Sequence, residues 1–201
     1  MFDLVSFIQA IGYIGVFGVI YAESGLLVGF FLPGDSLLFT AGFLASRGFL
    51  DIYLLIVLTF LGAVLGDSTG YWFGEKVGPK IFTKDDSLFF KKDNVHKAEE
   101  FFKKHGSKTI ILARFVPVVR TFVPILAGVG TMSYRKFLTY NLIGGAIWGI
   151  GLPLSGYFLG NLIPGVDRYL LPIIALIIII SISPSFSHIY KAWRDRKASR
   201  K

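Results

Sequence analysis

Two arginines stand inside an apolar segment of the sequence, on either side of a proline. Arg114 and Arg120 flank Pro117 within TIILARFVPVVRTFVPILAGVG, which occupies residues 109–130. Arginine stays charged at physiological pH, and its planar fork of N–H groups matches the oxygens of a phosphate or a carboxylate. A helix that resumes after the break would add backbone N–H groups suited to an anion. The pattern favours a phosphate site; the alternative is that both arginines form structural ion pairs only.

Three carboxylates, Glu23, Asp35 and Asp67, also lie in or beside apolar stretches. A charge in a bilayer costs about 2.5–3.5 kcal/mol on insertion scales, so three acids near two arginines suggest mutual pairing. Carboxylates in a site of low dielectric constant can also carry protons, and Glu23 and Asp35 are our candidates for proton coupling or gating. Because Pro-Gly-Asp is ordinary turn chemistry, Asp35 could instead cap a helix. Asp67 could cap a helix end or pair with an arginine.

Other kinds of active site find little support in the sequence. It contains no cysteine, which excludes disulfides, thiolate metal sites and cysteine nucleophiles. The histidines at 96, 105 and 188 do not have the spacing of metal ligands, and nucleophile-elbow, P-loop and dinucleotide motifs are missing. We therefore predict no enzyme activity, no metal and no cofactor. An enzyme acting on lipid phosphates would have Asp35, Asp67 and His105 as its only candidates.

The elements that must position these residues are membrane helices. Of the 201 residues, 53% are hydrophobic and 17% are charged. About 20 apolar residues of helix cross a bilayer core of about 30 Å. Asp67 and Asn141 fall inside two of the candidate spans, so those two helices do not simply face lipid. Four stretches approach this length: Leu4–Ala22, Ile52–Phe73, Phe137–Leu159 and Tyr169–Tyr190.

Two further apolar segments, 24–46 and 109–130, are broken near the middle by Pro33 and Pro117. Proline removes a backbone donor and disfavours helix in the residue before it. Backbone groups freed in this way cannot face lipid, so they must be buried in protein or line a wet cavity. We predict that each segment is a re-entrant helical hairpin that enters and leaves by one membrane face. The alternative is an ordinary span with a proline kink.

Charge placement gives these hairpins opposite orientations. Residues 75–108 hold nine lysines against six acids, and the tail from 191 holds six Lys or Arg against one acid. Both should be cytoplasmic, so one hairpin opens outward and the other inward, as in the inverted repeats of transporters. We predict an all-α polytopic membrane protein with about four spans and two opposed hairpins. The chain is predicted to form a single membrane domain (1–190) followed by a basic tail (191–201). The membrane domain comprises a first repeat (1–74), an amphipathic connector (75–108), a second repeat (109–163) and a last span (164–190).

Small residues recur where helices should meet. Ala41-Gly42 and Ala127-Gly128 both close the returning arm of a broken segment. Glycine runs also mark Gly12–Gly18 and Gly144–Gly149. Such runs let helices approach closely in membranes, so we expect packing surfaces there rather than ligand loops.

A set of short motifs extends from about Ile11 to Gly160. They are Glu23-Ser-Gly-Leu-Leu, Phe-Leu-Pro-Gly-Asp35-Ser, Gly66-Asp67-Ser-Thr-Gly-Tyr71-Trp-Phe-Gly74, His105-Gly106, Arg114-Phe-x-Pro117-x-x-Arg120-Thr, Ala127-Gly128, Asn141, Gly145-Ala-x-Trp148 and Gly156-Tyr157. In these motifs the chain resembles the DedA family, whose members share the SNARE-associated or VTT domain. The resemblance implies two opposed re-entrant hairpins and lipid translocation: recycling of undecaprenyl phosphate with the proton motive force in bacteria, and phospholipid scrambling in eukaryotic relatives. The family's important acids match Glu23 and Asp35, and its paired arginines match Arg114 and Arg120.

From residues and resemblance together we expect a multi-pass protein of the bacterial cytoplasmic membrane that translocates undecaprenyl phosphate. Its expected partners are anionic lipids and protons, and nucleic acid is not expected. The sequence leaves open whether the protein forms a homo-oligomer. The alternatives are a proton/cation antiporter, a general phospholipid scramblase and a structural assembly protein. The expected site residues are Arg114 and Arg120 for phosphate, Glu23 and Asp35 for protons or gating, and Asp67, Pro33, Pro117 and Asn141 in support.

Overall fold

All regular secondary structure in the described residues is helical, as predicted. The computed structural model describes residues 4–26, 32–81, 106–130 and 132–162, with the single positions 102, 104, 172 and 176. The helices are α1 (Leu4–Gly25), α2 (Gly34–Ser46), α3 (Ile52–Ile81), α4 (Thr109–Ala113), α5 (Pro117–Val129), α6 (Tyr134–Gly149) and α7 (Gly151–Leu162). Most of the predicted connector, the last span and the basic tail lie outside the described residues.

Three of the described helical stretches are long and apolar enough to cross a membrane. They are Val5–Gly25, Ile52–Val77 and Tyr134–Leu162, the last made of α6 and α7 in succession. They correspond to the first three predicted spans and support a multi-pass membrane protein. The second differs in extent, because α3 continues to Ile81 rather than ending where the polar connector was predicted to begin.

The predicted break at Pro117 is present in the structure. Helix α4 ends at Ala113, residues 114–116 form a turn, and α5 begins at Pro117. Val116 is extended, with φ −123° and ψ 104°, because the proline ring disfavours a helical residue before it. Proline fits the first helical position, where its missing N–H leaves no hydrogen bond unmade.

The first broken segment resumes in the same way after its proline. Pro33 (φ −87°, ψ 60°) precedes α2, which begins at Gly34. Helices α2 and α5 have 13 residues each, so each is about 20 Å long, short of a bilayer core of about 30 Å. These lengths suit arms of hairpins better than spans. Entry and exit by one membrane face stays a prediction for both segments.

Helix α2 packs most extensively against α7, from the other half of the chain. The contact is one of backbone on backbone. A Cβ atom added at Gly42 would overlap the carbonyl oxygen of Pro153, and one added at Gly156 would overlap that of Phe39. Glycine on each helix therefore sets the distance between them, which is the usual role of small residues between membrane helices.

Helix α5 makes the equivalent contact with α3, again across the two halves. A Cβ atom at Gly74 would overlap the carbonyl oxygen of Ile125, and one at Gly128 would overlap that of Tyr71. Gly42 and Gly128, which the sequence pairs as the ends of two returning arms, thus hold corresponding positions in two corresponding helix crossings. The crossing of α5 on α3 places Arg120 and Arg114 near the first half of the chain.

Replacing Gly128 by alanine should lower the free energy of unfolding by about 1–3 kcal/mol, since neither backbone can yield to the added methyl group. The matched control is Gly18→Ala, where a Cβ atom meets none of the described residues within 4 Å. Alanine is the better helix former, so this control should be neutral or stabilising by about 0.5–1 kcal/mol. Thermal unfolding in detergent, followed by helicity and by size-exclusion profile, compares the two. Equal melting of both variants would contradict the close crossing.

Candidate functional site

Arg120 joins the two broken segments of the chain. Its side chain, on α5, is only 4% exposed, and its two terminal nitrogens contact two different carboxylates of the first half. Nη2 pairs with Oε1 of Glu23 at the end of α1. Nη1 donates to Oδ1 of Asp35, in the first turn of α2, at 3.1 Å. The fold therefore brings together three of the residues that the sequence selects, Glu23, Asp35 and Arg120.

Trp148 completes this cluster, and sequence reasoning assigned it no role. Its indole N–H donates to the same Oδ1 of Asp35 at 2.7 Å. Its ring centroid lies 4.5 Å from Cζ of Arg120, within the range of a cation–π contact. The tryptophan itself is only 1% exposed. The sequence carried one usable signal, since Trp148 lies two helical turns after Asn141 and thus on the same face of the predicted helix.

Arg114 occupies a second cluster, formed by the turn after α4 and by helices α3 and α6. Its Nη2 donates to a carboxylate oxygen of Asp67 and to Oδ1 of Asn141. The Asn141 amide nitrogen in turn donates to the carbonyl oxygen of Val64 at 3.0 Å and to Oγ of Ser68 at 3.4 Å. Asp67 lies in the middle of α3, so it pairs with an arginine rather than capping a helix end.

The two clusters differ in formal charge. Arg114 meets the single carboxylate of Asp67, whereas Arg120 meets those of Glu23 and Asp35. Counted over these three side chains alone, an ionised Arg120 cluster carries one negative charge in excess.

Several polar atoms in and around the clusters have no hydrogen-bond partner in the structure as described. A buried polar group left in this state costs about 1–3 kcal/mol, unless water or a ligand meets it. Both arginines thus retain one N–H group that their carboxylate partners do not use. The atoms are Nε of Arg114, Nε of Arg120, Oε2 of Glu23, Oγ of Ser24 and Oγ1 of Thr40.

Helix α6 supports both arginines with one face. Asn141, Gly144, Gly145 and Trp148 are all buried, and their spacing of three, four and seven residues puts them on one side of a helix. A Cβ atom at Gly144 would lie 3.0 Å from Cδ of Arg114, so a larger residue there would press on the arginine. The glycine run predicted to pack at 144–149 does so. In the run at 12–18, Cβ atoms at Gly12 and Gly18 would meet none of the described residues within 4 Å, and one at Gly15 would overlap the Ile11 side chain of the same helix. Packing of this run against another helix stays a prediction.

Two of the three candidate residues of the enzyme alternative lie apart in the structure. Asp35 and Asp67 belong to separate clusters, each bonded to a different arginine. His105 lies outside the described residues. Within the described ranges, no group of three or more His, Asp or Glu side chains is arranged to hold a metal ion. What the arrangement can do is hold an anion against a buried guanidinium and exchange it with a carboxylate.

Comparison with known proteins agrees with the resemblance drawn from the motifs. The family described as the VTT domain matches residues 32–158. The chain is 45% identical over 181 residues to Protein DedA of Escherichia coli (strain K12), covering 89% of this chain and 82% of that protein. It is 44% identical over 183 residues to an uncharacterized membrane protein of Mycobacterium leprae (strain TN), covering 91% and 82%.

A more distant relative matches a smaller share of the chain. The Inner membrane protein YqjA of Escherichia coli (strain K12) is 33% identical over 150 residues, which is 74% of this chain and 68% of that protein. No solved structure matches the chain. The matched region, 32–158, contains both arginines, Asp35, Asp67 and Trp148. The chain belongs to the VTT-domain family of membrane proteins, the family of DedA.

Proposed function

We propose that this protein transports a polyprenyl phosphate, in bacteria undecaprenyl phosphate, across the cytoplasmic membrane. One observation carries the proposal: a buried arginine of the second broken segment contacts two carboxylates of the first half of the chain. An arginine that only stabilised the fold would need one partner, and apolar packing could replace the pair at lower cost. An arginine with two exchangeable anionic partners suits a site that releases one of them to accept a third anion.

The chemistry of exchange follows from the groups present. A phosphate monoester offers several oxygens to the planar guanidinium of Arg120, with a second contact from Arg114. Its negative charge would add to a cluster that already holds one carboxylate in excess. Protonation of Glu23 or Asp35 offsets that charge, so phosphate binding and proton uptake become linked. The isoprenoid chain stays in the lipid while only the headgroup enters the protein.

The helix packing supports an inverted repeat. Each short arm, α2 or α5, packs through paired glycines against a span of the opposite half. If both arms belong to re-entrant hairpins that open to opposite faces, the Arg120 cluster lies where the hairpins meet. The Arg120 cluster can then open to one membrane face at a time, if the α2–α7 and α5–α3 crossings loosen alternately. The basic connector and tail would face the cytoplasm, in keeping with their charge.

The rival functions use the same residues differently. A proton/cation antiporter would need the carboxylates alone. The two buried arginines would then serve only to compensate the negative charge of those carboxylates. A general scramblase would move zwitterionic headgroups as readily as phosphate monoesters. The double carboxylate around Arg120 favours a cargo whose binding changes the charge of the site, which a zwitterion does not do.

Reconstitution in liposomes tests the proposal and separates these rivals. Vesicles that contain the protein should translocate a labelled polyprenyl phosphate faster than empty vesicles, and faster still with an imposed proton gradient. A labelled phosphatidylcholine of matched chain length should cross no faster than in empty vesicles. Equal movement of both lipids would indicate a scramblase. Proton flux without any prenyl phosphate, together with no lipid movement, would indicate the antiporter.

A further inference from the structure

Trp148 contacts both members of the ion pair that must open when an anion binds. Its N–H group reaches Oδ1 of Asp35 at 2.7 Å, closer than Nη1 of Arg120, which reaches the same oxygen at 3.1 Å. Its ring lies 4.5 Å from the guanidinium carbon of Arg120. One side chain therefore holds the carboxylate by its edge and the arginine by its face.

The exposure of the three charged side chains indicates where exchange begins. Asp35 is 15% exposed, whereas Arg120 and Glu23 are 4% and 2% exposed. An anion that approaches Arg120 from the protein surface therefore meets Asp35 first and has to displace it. Glu23 is held more deeply, with its carboxylate against Gly34, where even a Cβ atom would overlap it.

We propose that Trp148 is the positioning residue of the anion site. Its indole N–H keeps its hydrogen bond to Asp35 while an oxygen of the incoming phosphate replaces Asp35 as the acceptor on Nη1 of Arg120. The inference rests on the proposed function and deepens it, because it states which side chain makes the exchange reversible. The indole hydrogen bond to Asp35 strengthens once the guanidinium no longer shares the oxygen. The ring meanwhile keeps the guanidinium plane fixed, so its free N–H groups point at the arriving phosphate.

Two substitutions separate the edge of the indole from its face. Trp148→Phe keeps an aromatic face and removes the N–H donor, so Asp35 has less to hold it away from Arg120. The apparent half-saturation concentration for prenyl phosphate should rise about 10-fold, the effect of one hydrogen bond to a charged group, with the maximal rate unchanged. Trp148→Leu removes the face as well, and the maximal rate should then fall too. A merely structural tryptophan would give equal losses in both variants, or none in either.

The matched control is Trp72→Phe. Trp72 is 45% exposed on α3 and stacks on Tyr134, so the same loss of an indole N–H occurs away from the arginines. Its half-saturation concentration and maximal rate should match those of the wild type. A change as large as that of Trp148→Phe would overturn the assignment.

A second measurement leaves Trp148 in place. The sequence has three tryptophans, at 72, 148 and 193, so the double variant Trp72→Phe/Trp193→Phe makes Trp148 the sole indole emitter. Farnesyl phosphate, a short prenyl phosphate, should change its emission saturably, and farnesol, which lacks the phosphate, should not. Intact lipid transport with silent Trp148 emission would overturn this inference and leave the proposed function standing. No transport and no emission change in the double variant and the wild type would reject both.

Discussion

Replacing Arg114 by methionine will lower the free energy of unfolding by about 3–5 kcal/mol, because the variant leaves the buried carboxylate of Asp67 without its cation. The structure places this pair between the turn after α4 and the middle of α3, with side chains 2% and 5% exposed. Thermal unfolding in detergent measures the loss. Asp67→Leu alone should lose a similar amount, since it leaves the guanidinium of Arg114 buried and unpaired.

The double variant Arg114→Met/Asp67→Leu decides what the pair is for. With both charges gone, most of the lost stability should return, because apolar residues of similar volume can replace a buried ion pair. If Arg114 also binds phosphate, as we propose, the double variant will be folded and inserted but transport will stay low. Recovery of transport together with stability would mean that Arg114 only joins the helices, leaving Arg120 as the sole phosphate ligand.

The sequence was sufficient to predict the two helix breaks that involve proline, but not the break between α6 and α7. Pro33 and Pro117 act locally, through the geometry of one residue and its predecessor, and the structure resumes helix after each of them. Span lengths were also predictable, since they follow from the bilayer. The end of α3 was not, because Glu75–Ile81 continues the helix despite its charged residues. Polar sequence near a span does not by itself end a helix.

The pairing of charges could be predicted as a principle but not in detail. Burial cost required the acids to meet the arginines, and the sequence left both Asp67 and Glu23 open as partners. The actual assignment, Asp67 with Arg114 and Glu23 with Arg120, depends on how α5 crosses α3 and how α1 ends beside α2. Those contacts join residues far apart in sequence. No local pattern encodes them.

Trp148 shows the same limit for a neutral residue. Trp148 lies near the middle of its apolar span, where a tryptophan's type alone does not distinguish a site residue from one that packs between helices. Its burial and its contact with Asp35 depend on the tertiary fold, which brings the first turn of α2 to Trp148 on α6. The glycine runs differ for a similar reason. The run at 144–149 faces α3 and Arg114, whereas Gly12 and Gly18 have no neighbour within 4 Å among the described residues.

Arg120→Lys should reduce transport of prenyl phosphate by about 100-fold, the scale of loss that follows when a positioned group is misplaced by about 1 Å. Lysine keeps the positive charge that compensates Glu23 and Asp35, so the protein should remain folded and inserted. It lacks the planar fork that allows Nη1 and Nη2 to contact two carboxylates separately. It also places an ammonium group rather than a guanidinium over the ring of Trp148. Initial rates in liposomes, at matched amounts of inserted protein, measure the effect.

Alanine at the same position would be a poorer test, because it would leave two carboxylates without their cation and confound folding with transport. The matched control is Arg135→Lys on the exposed first turn of α6, which makes the same chemical change outside both clusters. That variant should transport at the wild-type rate. If Arg120→Lys does so too, Arg120 acts only as a point charge. The geometry of its fork, on which the exchange of carboxylate for phosphate depends, would then have no part in transport.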